Sequence, residues 1–234
     1  MVLSPADVPV TPVRWSPCYR IIPSRFPPIH LFEEVADPED LEAVFRVESL
    51  TNDRLRDQVG ELTLVPTEDR VSGPGSSYVM AAFTHPAPSG GRFTDETFGA
   101  YYTARDRQTA IDETVFHRER FLRDMAAPPT ELDMRVLRAD LDAVLHDLRG
   151  KRGAWPELYR LDDYSESQAL GRALRAIGSC GIAYESVRGA GGECAAVLRP
   201  PAITKCRQSE HLGYVWDGER IALVYEKRVL RGWR

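Results

Sequence analysis

Polar and apolar positions along this chain fall into short runs of two different periods. Cys18–Ile22, CYRII, has the composition of a short strand with Arg20 at its middle, and Pro23, Pro27 and Pro28 end it. Asp37 can cap a helix over Pro38–Leu50, with Pro38 at its first position and Leu41, Val44 and Phe45 turned inward. Thr51–Gly60 is expected to be a turn with a short helical piece, and Glu61–Val65 alternates like a strand. Ser72–Ser77, SGPGSS, is a loop by its glycines and proline, and the apolar run Tyr78–Thr84 predicts another strand. A short aromatic strand over Ala100–Thr103 leads into a helix carrying Glu113 and His117, which Ala126–Pro129 breaks. Further on, MRVLR inside Thr130–Arg138 predicts a strand. Leu141, Val144, Leu145 and Leu148 predict a helix from Asp140 to Leu148.

After a turn at Gly150–Pro156, Ser165 can cap a helix to Ile177, with Leu170, Leu174 and Ile177 at helical spacing. Ile182–Ser186 and Cys194–Leu198 predict strands separated by the glycine-rich loop Gly189–Gly192. His211–Trp216 and Arg220–Arg228 predict a hairpin around Asp217–Gly218, a two-residue turn signal. Strands and helices do not alternate strictly, so the expected class is α+β. Residues 1–17, rich in proline and small residues, are expected to form a disordered or loosely attached lead.

Composition narrows the picture. A chain of 234 residues, 43% hydrophobic, suits one globular domain with a sizeable core. A net charge of −5 with dispersed basic residues leaves no electrostatic footprint for nucleic acid. The four cysteines, Cys18, Cys180, Cys194 and Cys206, form no CxxC pair and are expected to be reduced thiols. No apolar run approaches the roughly 18 residues of a membrane span. The N-terminus lacks a basic start and an apolar stretch of a secretory signal, so the cytoplasm is the expected location.

The chemistry concentrates in Gly90–Arg123. This stretch brings Arg92, Tyr101, Tyr102 and Glu113 to one strand-to-helix corner, and Glu113 and His117, four apart, share a helical face. Arginine pairs with phosphate bidentately, tyrosine offers a flat face and a hydroxyl, and a carboxylate stabilises developing positive charge. These are parts that a nucleotide-cleaving site needs; the plainer reading is a helix with a solvated Glu–Arg face. Other constellations are weaker. Gly189–Gly192 lacks both phosphate-loop spacings and suits a hairpin loop. Ser186 sits in no GxSxG elbow, Glu113 with His117 would be half a metal site lacking a third ligand, and nothing adjacent activates Cys194.

Four segments occur in one order: YRI at Tyr19–Ile21, GGRF at Gly90–Phe93, YYTA followed by AIDETVFH to His117, and YESVR at Tyr184–Arg188. Together they resemble the RES-domain family, toxins of bacterial toxin–antitoxin pairs whose fold is similar to that of ADP-ribosyltransferases. The resemblance implies a single domain over 18–234, preceded by an extension at 1–17, with a split mixed or antiparallel sheet flanked by helices. About seventy residues separate Arg20 from the GGR motif, more than in compact members, and this implies an elaboration over about 34–89.

The resemblance also implies an enzyme that consumes NAD by cleaving its nicotinamide–ribose bond, by hydrolysis or phosphorolysis. The alternatives are ADP-ribosyl transfer to a protein and a non-catalytic NAD- or antitoxin-binding module. The family's first arginine falls on Arg20, with Arg46 competing, and its other positions fall on Arg92, Tyr102, Glu113 and Ser186. Arg20 and Arg92 would then hold the pyrophosphate, and Tyr102 with Tyr101 would wall the nicotinamide. Glu113 would stabilise the ribosyl cation, and Ser186 would orient the ribose or Glu113. NAD would be the substrate, with no permanently bound cofactor and no metal. The implied partner is an Xre-like antitoxin, with no direct nucleic acid or membrane contact and room for a homodimer.

Overall fold

The structure, a computed structural model, describes residues 3–24, 33, 60–228 and 230. The expected helix at Pro38–Leu50, most of Thr51–Gly60, Arg46 and much of the 34–89 elaboration lie outside the described residues. Among the described residues the strands are β1 (Val10–Pro23), β2 (Tyr101–Ala104), β3 (Thr130–Asp147), β4 (Gly181–Glu185), β5 (Glu193–Val197), β6 (Ile203–Trp216) and β7 (Ile221–Lys227). The helices that concern the site are α1 (Ser76–Thr84), α2 (Arg107–Asp124) and α3 (Ser165–Ala176).

The strands form one mixed sheet in the order β1-β2-β5-β4-β3-β6-β7, and β1 also pairs with β3. Five strands therefore close a ring, β1-β2-β5-β4-β3, from which β6 and β7 extend. Every pairing is antiparallel except β3 with β4, joined through His146–Ile182 and Asp147–Ala183. The fold class is α+β in one domain, as the mixture of periods implies.

Successive strand residues point to opposite faces, so the sheet carries two apolar cores. One contains Leu137, Leu141, Leu145, Tyr101 and Val197, with Val79, Met80 and Phe83 of α1 packed on it. The other contains Met134, Val136, Ile182, Tyr184, Cys194 and Ala104, covered by Ala110 of α2 and by Leu170 and Leu174 of α3. The candidate site opens on this second face.

Four expectations are corrected. Residues 10–17 are no loose lead: they are the first half of β1, registered on β3 from Val10–His146 onward. Glu61–Val65 is not a strand but holds a 3-10 turn at Leu62–Leu64. Leu62 and Val65 are both buried in one core, and a spacing of three places both on one side only when the backbone turns. Tyr78–Thr84 is not a strand but most of α1; apolar on nearly every side, it carries no period that separates helix from strand.

Asp140–Leu148 is not a helix but the second half of the 18-residue β3. Leu137, Ala139, Leu141 and Leu145 alternate into one core, while Val144 is exposed. A spacing of four, as between Leu141 and Leu145, fits both periods, and the helical reading took the wrong one. The glycine loop Gly189–Gly192 does join two antiparallel strands, β4 and β5, and Asp217–Gly218 does turn between β6 and β7.

Candidate functional site

Three local features build the corner. The loop before β2 turns at Gly90, where φ is +66° and a Cβ would stand 2.3 Å from the Thr94 carbonyl oxygen. A Cβ on Gly91 would stand 2.6 Å from the Tyr102 hydroxyl, so the second glycine lets the Tyr102 ring lie against the loop. The Tyr102 hydroxyl accepts a bond from the Phe93 N–H at 2.9 Å and lies 3.2 Å from Thr94 Oγ1. Helix α3 braces the same loop: Gln168 Nε2 donates to the Gly91 carbonyl at 3.1 Å and Arg172 pairs with Asp95 at 2.9 Å. Helix α2 starts at Asp106, whose carboxylate accepts from the N–H and hydroxyl of Thr109 at 2.9 and 2.7 Å.

The second face and the gap between β1 and β2 share a cleft of about 340 Å³. Its walls include Arg20 from β1, Arg92 from the loop before β2, Tyr102 from β2, and Glu113 and His117 from α2. Four of the residues expected in the site, Arg20, Arg92, Tyr102 and Glu113, thus share one cavity although they span 94 positions, from 20 to 113.

Glu113 is held by Ser186. The Ser186 hydroxyl, just past the end of β4, donates to Glu113 Oε1 at 2.7 Å. Its oxygen in turn accepts from the Arg188 and Gly189 N–H groups at 3.1 and 2.8 Å. Two fixed N–H donors therefore polarise the hydroxyl and aim its proton at the carboxylate. Ser186 is itself buried and does not line the cleft. Of the two groups expected to meet it, ribose or Glu113, its hydroxyl contacts Glu113.

Arg20 occupies the place where two strands part. β1 and β2 are registered only at Tyr19–Ala104. Beyond that point side chains replace the ladder: Arg20 Nη1 donates to the Tyr102 carbonyl at 3.0 Å, and Thr103 Oγ1 donates to the Tyr19 carbonyl at 2.9 Å. The guanidinium lies over the Tyr101 ring, 4.9 Å from its centroid. Burial lowers the Arg20 pKa, against the pull of Tyr101, Cys206 and Tyr102. Part of the side chain still opens into the cleft.

Arg92 is anchored differently. One nitrogen, Nη1, donates to the Leu158 and Arg160 carbonyls, each at 2.9 Å, and the group lies over Tyr164 at 4.7 Å. So held, Arg92 also lines the cleft. Tyr101 corrects an expectation. It is fully buried on the opposite face, its hydroxyl 3.6 Å from Cys206 Sγ, and it lines no part of the cleft. Adjacent strand residues face opposite ways, so Tyr102 can wall a ligand and Tyr101 can only support Arg20 from beneath.

The protonation states follow from the packing. Burial raises the Tyr102 pKa, so the hydroxyl stays protonated. Cys194, 4.0 Å from Glu113, is pushed well up by burial and by that negative neighbour, which leaves it a thiol and no nucleophile. Desolvation, with Arg188, Arg118, Arg92 and Arg120 around it, lowers His117 to about 4. His117 as a residue is nonetheless exposed, so water screens part of this shift. Among the described residues no group of three His, Cys, Asp or Glu side chains stands ready for a metal ion.

Several cleft residues carried no sequence signal. Ala81, Ala82 and His85 of the α1 end line it, as does Tyr164 ahead of α3. The strand reading of Tyr78–Thr84 concealed the first two. Among the described residues no helix is long and apolar enough to cross a membrane.

Comparisons with known proteins place the chain in a family. The model of the RES domain matches residues 67–217, a stretch that includes Arg92, Tyr102, Glu113 and Ser186 but begins after Arg20. The uncharacterized protein y4oC of Sinorhizobium fredii (strain NBRC 101917 / NGR234) is 34% identical over 208 residues, 88% of this chain and 86% of that protein. Among solved structures, a chain in the crystal structure of the M. tuberculosis MbcT–MbcA toxin–antitoxin complex aligns with a TM-score of 0.44 and 17% identity, covering 88% of this chain and 87% of that one. The matched motifs and the length of the match establish that this chain belongs to the RES domain family.

Proposed function

We propose that this protein binds NAD in the cleft and cleaves the bond between nicotinamide and ribose. The observation that carries the reading is Glu113, fixed by Ser186 at 2.7 Å on the wall of a cavity that also presents Arg20, Arg92 and Tyr102. The cavity volume lies within the roughly 300–1,000 Å³ usual for small-molecule sites. Arg20 and Arg92 bind the pyrophosphate. Tyr102 packs on the nicotinamide end and holds it over Glu113.

As the glycosidic bond lengthens, positive charge collects on the ribose ring. A carboxylate already oriented beside it lowers the barrier without reorganisation. Nicotinamide leaves as a neutral molecule from a cationic ring, so no strong acid is needed to protonate it. An oxygen nucleophile then completes the transfer. In the cell such an enzyme depletes NAD, acts as the toxin of a pair in the cytoplasm, and is restrained by an Xre-like antitoxin that occupies the cleft. The test is incubation of the purified protein with NAD, which should release free nicotinamide. Growth arrest on expression alone, relieved by the adjacent reading frame, tests the toxin role.

A further inference from the structure

Glu113 accounts for the departure of nicotinamide but not for the proton that an attacking hydroxyl must lose. His117 stands one helical turn after Glu113 on the same wall of the cleft. Residues so spaced have Cβ atoms about 5–6 Å apart, so the two side chains serve the same stretch of the cleft. The ring is fixed from one side: Phe116 meets it edge-on at 5.5 Å, and Phe116 is itself covered by Arg188 at 3.2 Å. His117 itself is exposed to solvent.

We propose that His117 is the base of this reaction, taking the proton from the hydroxyl nucleophile as it bonds to the ribose. This inference rests on the NAD-cleaving reading. With water as nucleophile the step balances. The carbon–nitrogen bond breaks and its electron pair leaves with nicotinamide. A water lone pair forms the carbon–oxygen bond, one O–H proton passes to a ring nitrogen of His117, and His117, exposed to solvent, returns it to bulk water.

The charges around the ring suit this role. Arg188 from the loop after β4, Arg118 and Arg120 from α2 and Arg92 from the loop before β2 all disfavour an imidazolium, and Glu113 is the anion sharing its wall. His117 is therefore neutral near pH 7 and can accept a hydrogen bond, which none of the four arginines can do. Its weak basicity is no obstacle. Water bonded to an oxocarbenium carbon is a far stronger acid than any imidazolium, so the transfer runs downhill.

Chemical rescue tests the assignment, because an exposed position on the cleft wall admits a small base. With NAD as substrate and nicotinamide release as readout, His117→Gly should lose on the order of 100-fold in kcat with little change in KM. Added imidazole should restore part of that loss, and substituted imidazoles of higher pKa should restore more. His117→Gln fills the space without a base and should stay slow in imidazole. Near wild-type turnover in both variants, within about threefold, would overturn the proposal. So would a deep loss in the glycine variant that is indifferent to every imidazole, since that marks a packing role. A wild-type protein that releases no nicotinamide removes the NAD reading and this inference with it; an active wild type with unaffected variants removes His117 alone.

Discussion

The Ser186 hydroxyl and the Glu113 carboxylate, 73 positions apart in sequence, meet at 2.7 Å beside the cleft. The contact joins the end of β4 to the second turn of α2, and two backbone N–H groups fix the serine end. Ser186→Ala removes the donor and leaves the carboxylate free to rotate. A hydrogen bond to a charged group is worth about 1.5–3 kcal/mol, so kcat should fall roughly ten- to a hundredfold. KM should change little, because Ser186 does not line the cleft. Steady-state kinetics on NAD separate the two constants.

Arg20→Ala and Arg92→Ala should each weaken NAD binding about tenfold or more, since each deletes a charge-assisted partner of the pyrophosphate. Calorimetric titration of NAD measures it. Arg20→Ala should also lower the melting temperature, because its bond to the Tyr102 carbonyl spans the place where β1 and β2 part. Arg46→Ala should do less to affinity. A silent Arg20→Ala beside a damaging Arg46→Ala would reassign the first arginine of the family.

Gly91→Ala puts a methyl group 2.6 Å from the Tyr102 hydroxyl and 2.9 Å from its ring carbons. The ring must yield, and its bond to the Phe93 N–H goes with it. Overpacking of this kind costs about 1–3 kcal/mol, and each kcal/mol lowers the melting point of a chain this size by about 2–4 °C. Thermal unfolding followed by circular dichroism checks the loss. Gly150, with no atom within 4 Å of its added Cβ, is a poor comparison because φ there is +73°; Gly153, equally open and without that φ, is the control.

His117 also predicts a pH dependence of stability. Its folded pKa of about 4 lies below the unfolded value of 6.5. Between these values the unfolded chain binds the proton more readily, so this residue's contribution is complete above about 6.5 and is lost as the pH falls toward about 4. Urea midpoints at pH 7 and pH 5 should converge in His117→Gln relative to wild type. An identical pH slope in both proteins would remove His117 as its source.

Sequence named residues that share one cleft, and it gave the fold class while misassigning several elements. The corner built from Gly90, Gly91, Arg92, Tyr102 and Glu113 was legible because glycines and an ordered set of motifs constrain a short stretch directly. Ser186 was legible as a position, but its contact with Glu113 depends on how β4 packs beside α2, a relation no local pattern contains. Tyr101 was misplaced because adjacent tyrosines look equivalent until strand alternation assigns them to opposite faces. Helix α1 was hidden by an apolar run without period, and the end of β3 by leucines four apart, a spacing both periods share. Arg20 lies outside the stretch matched to the RES domain, and its place in the cleft follows from the pairing of β1 with β3.

The most direct test of the account compares wild-type protein with Glu113→Gln in nicotinamide release from NAD, with NAD binding measured on both. Glutamine keeps the shape and removes the charge. The account predicts that wild type releases nicotinamide and that the variant binds NAD yet turns over on the order of 100-fold or more slowly, since a preorganised electrostatic partner of the transition state is gone. Near wild-type turnover in Glu113→Gln, or a wild-type protein that binds NAD without releasing nicotinamide, would contradict it.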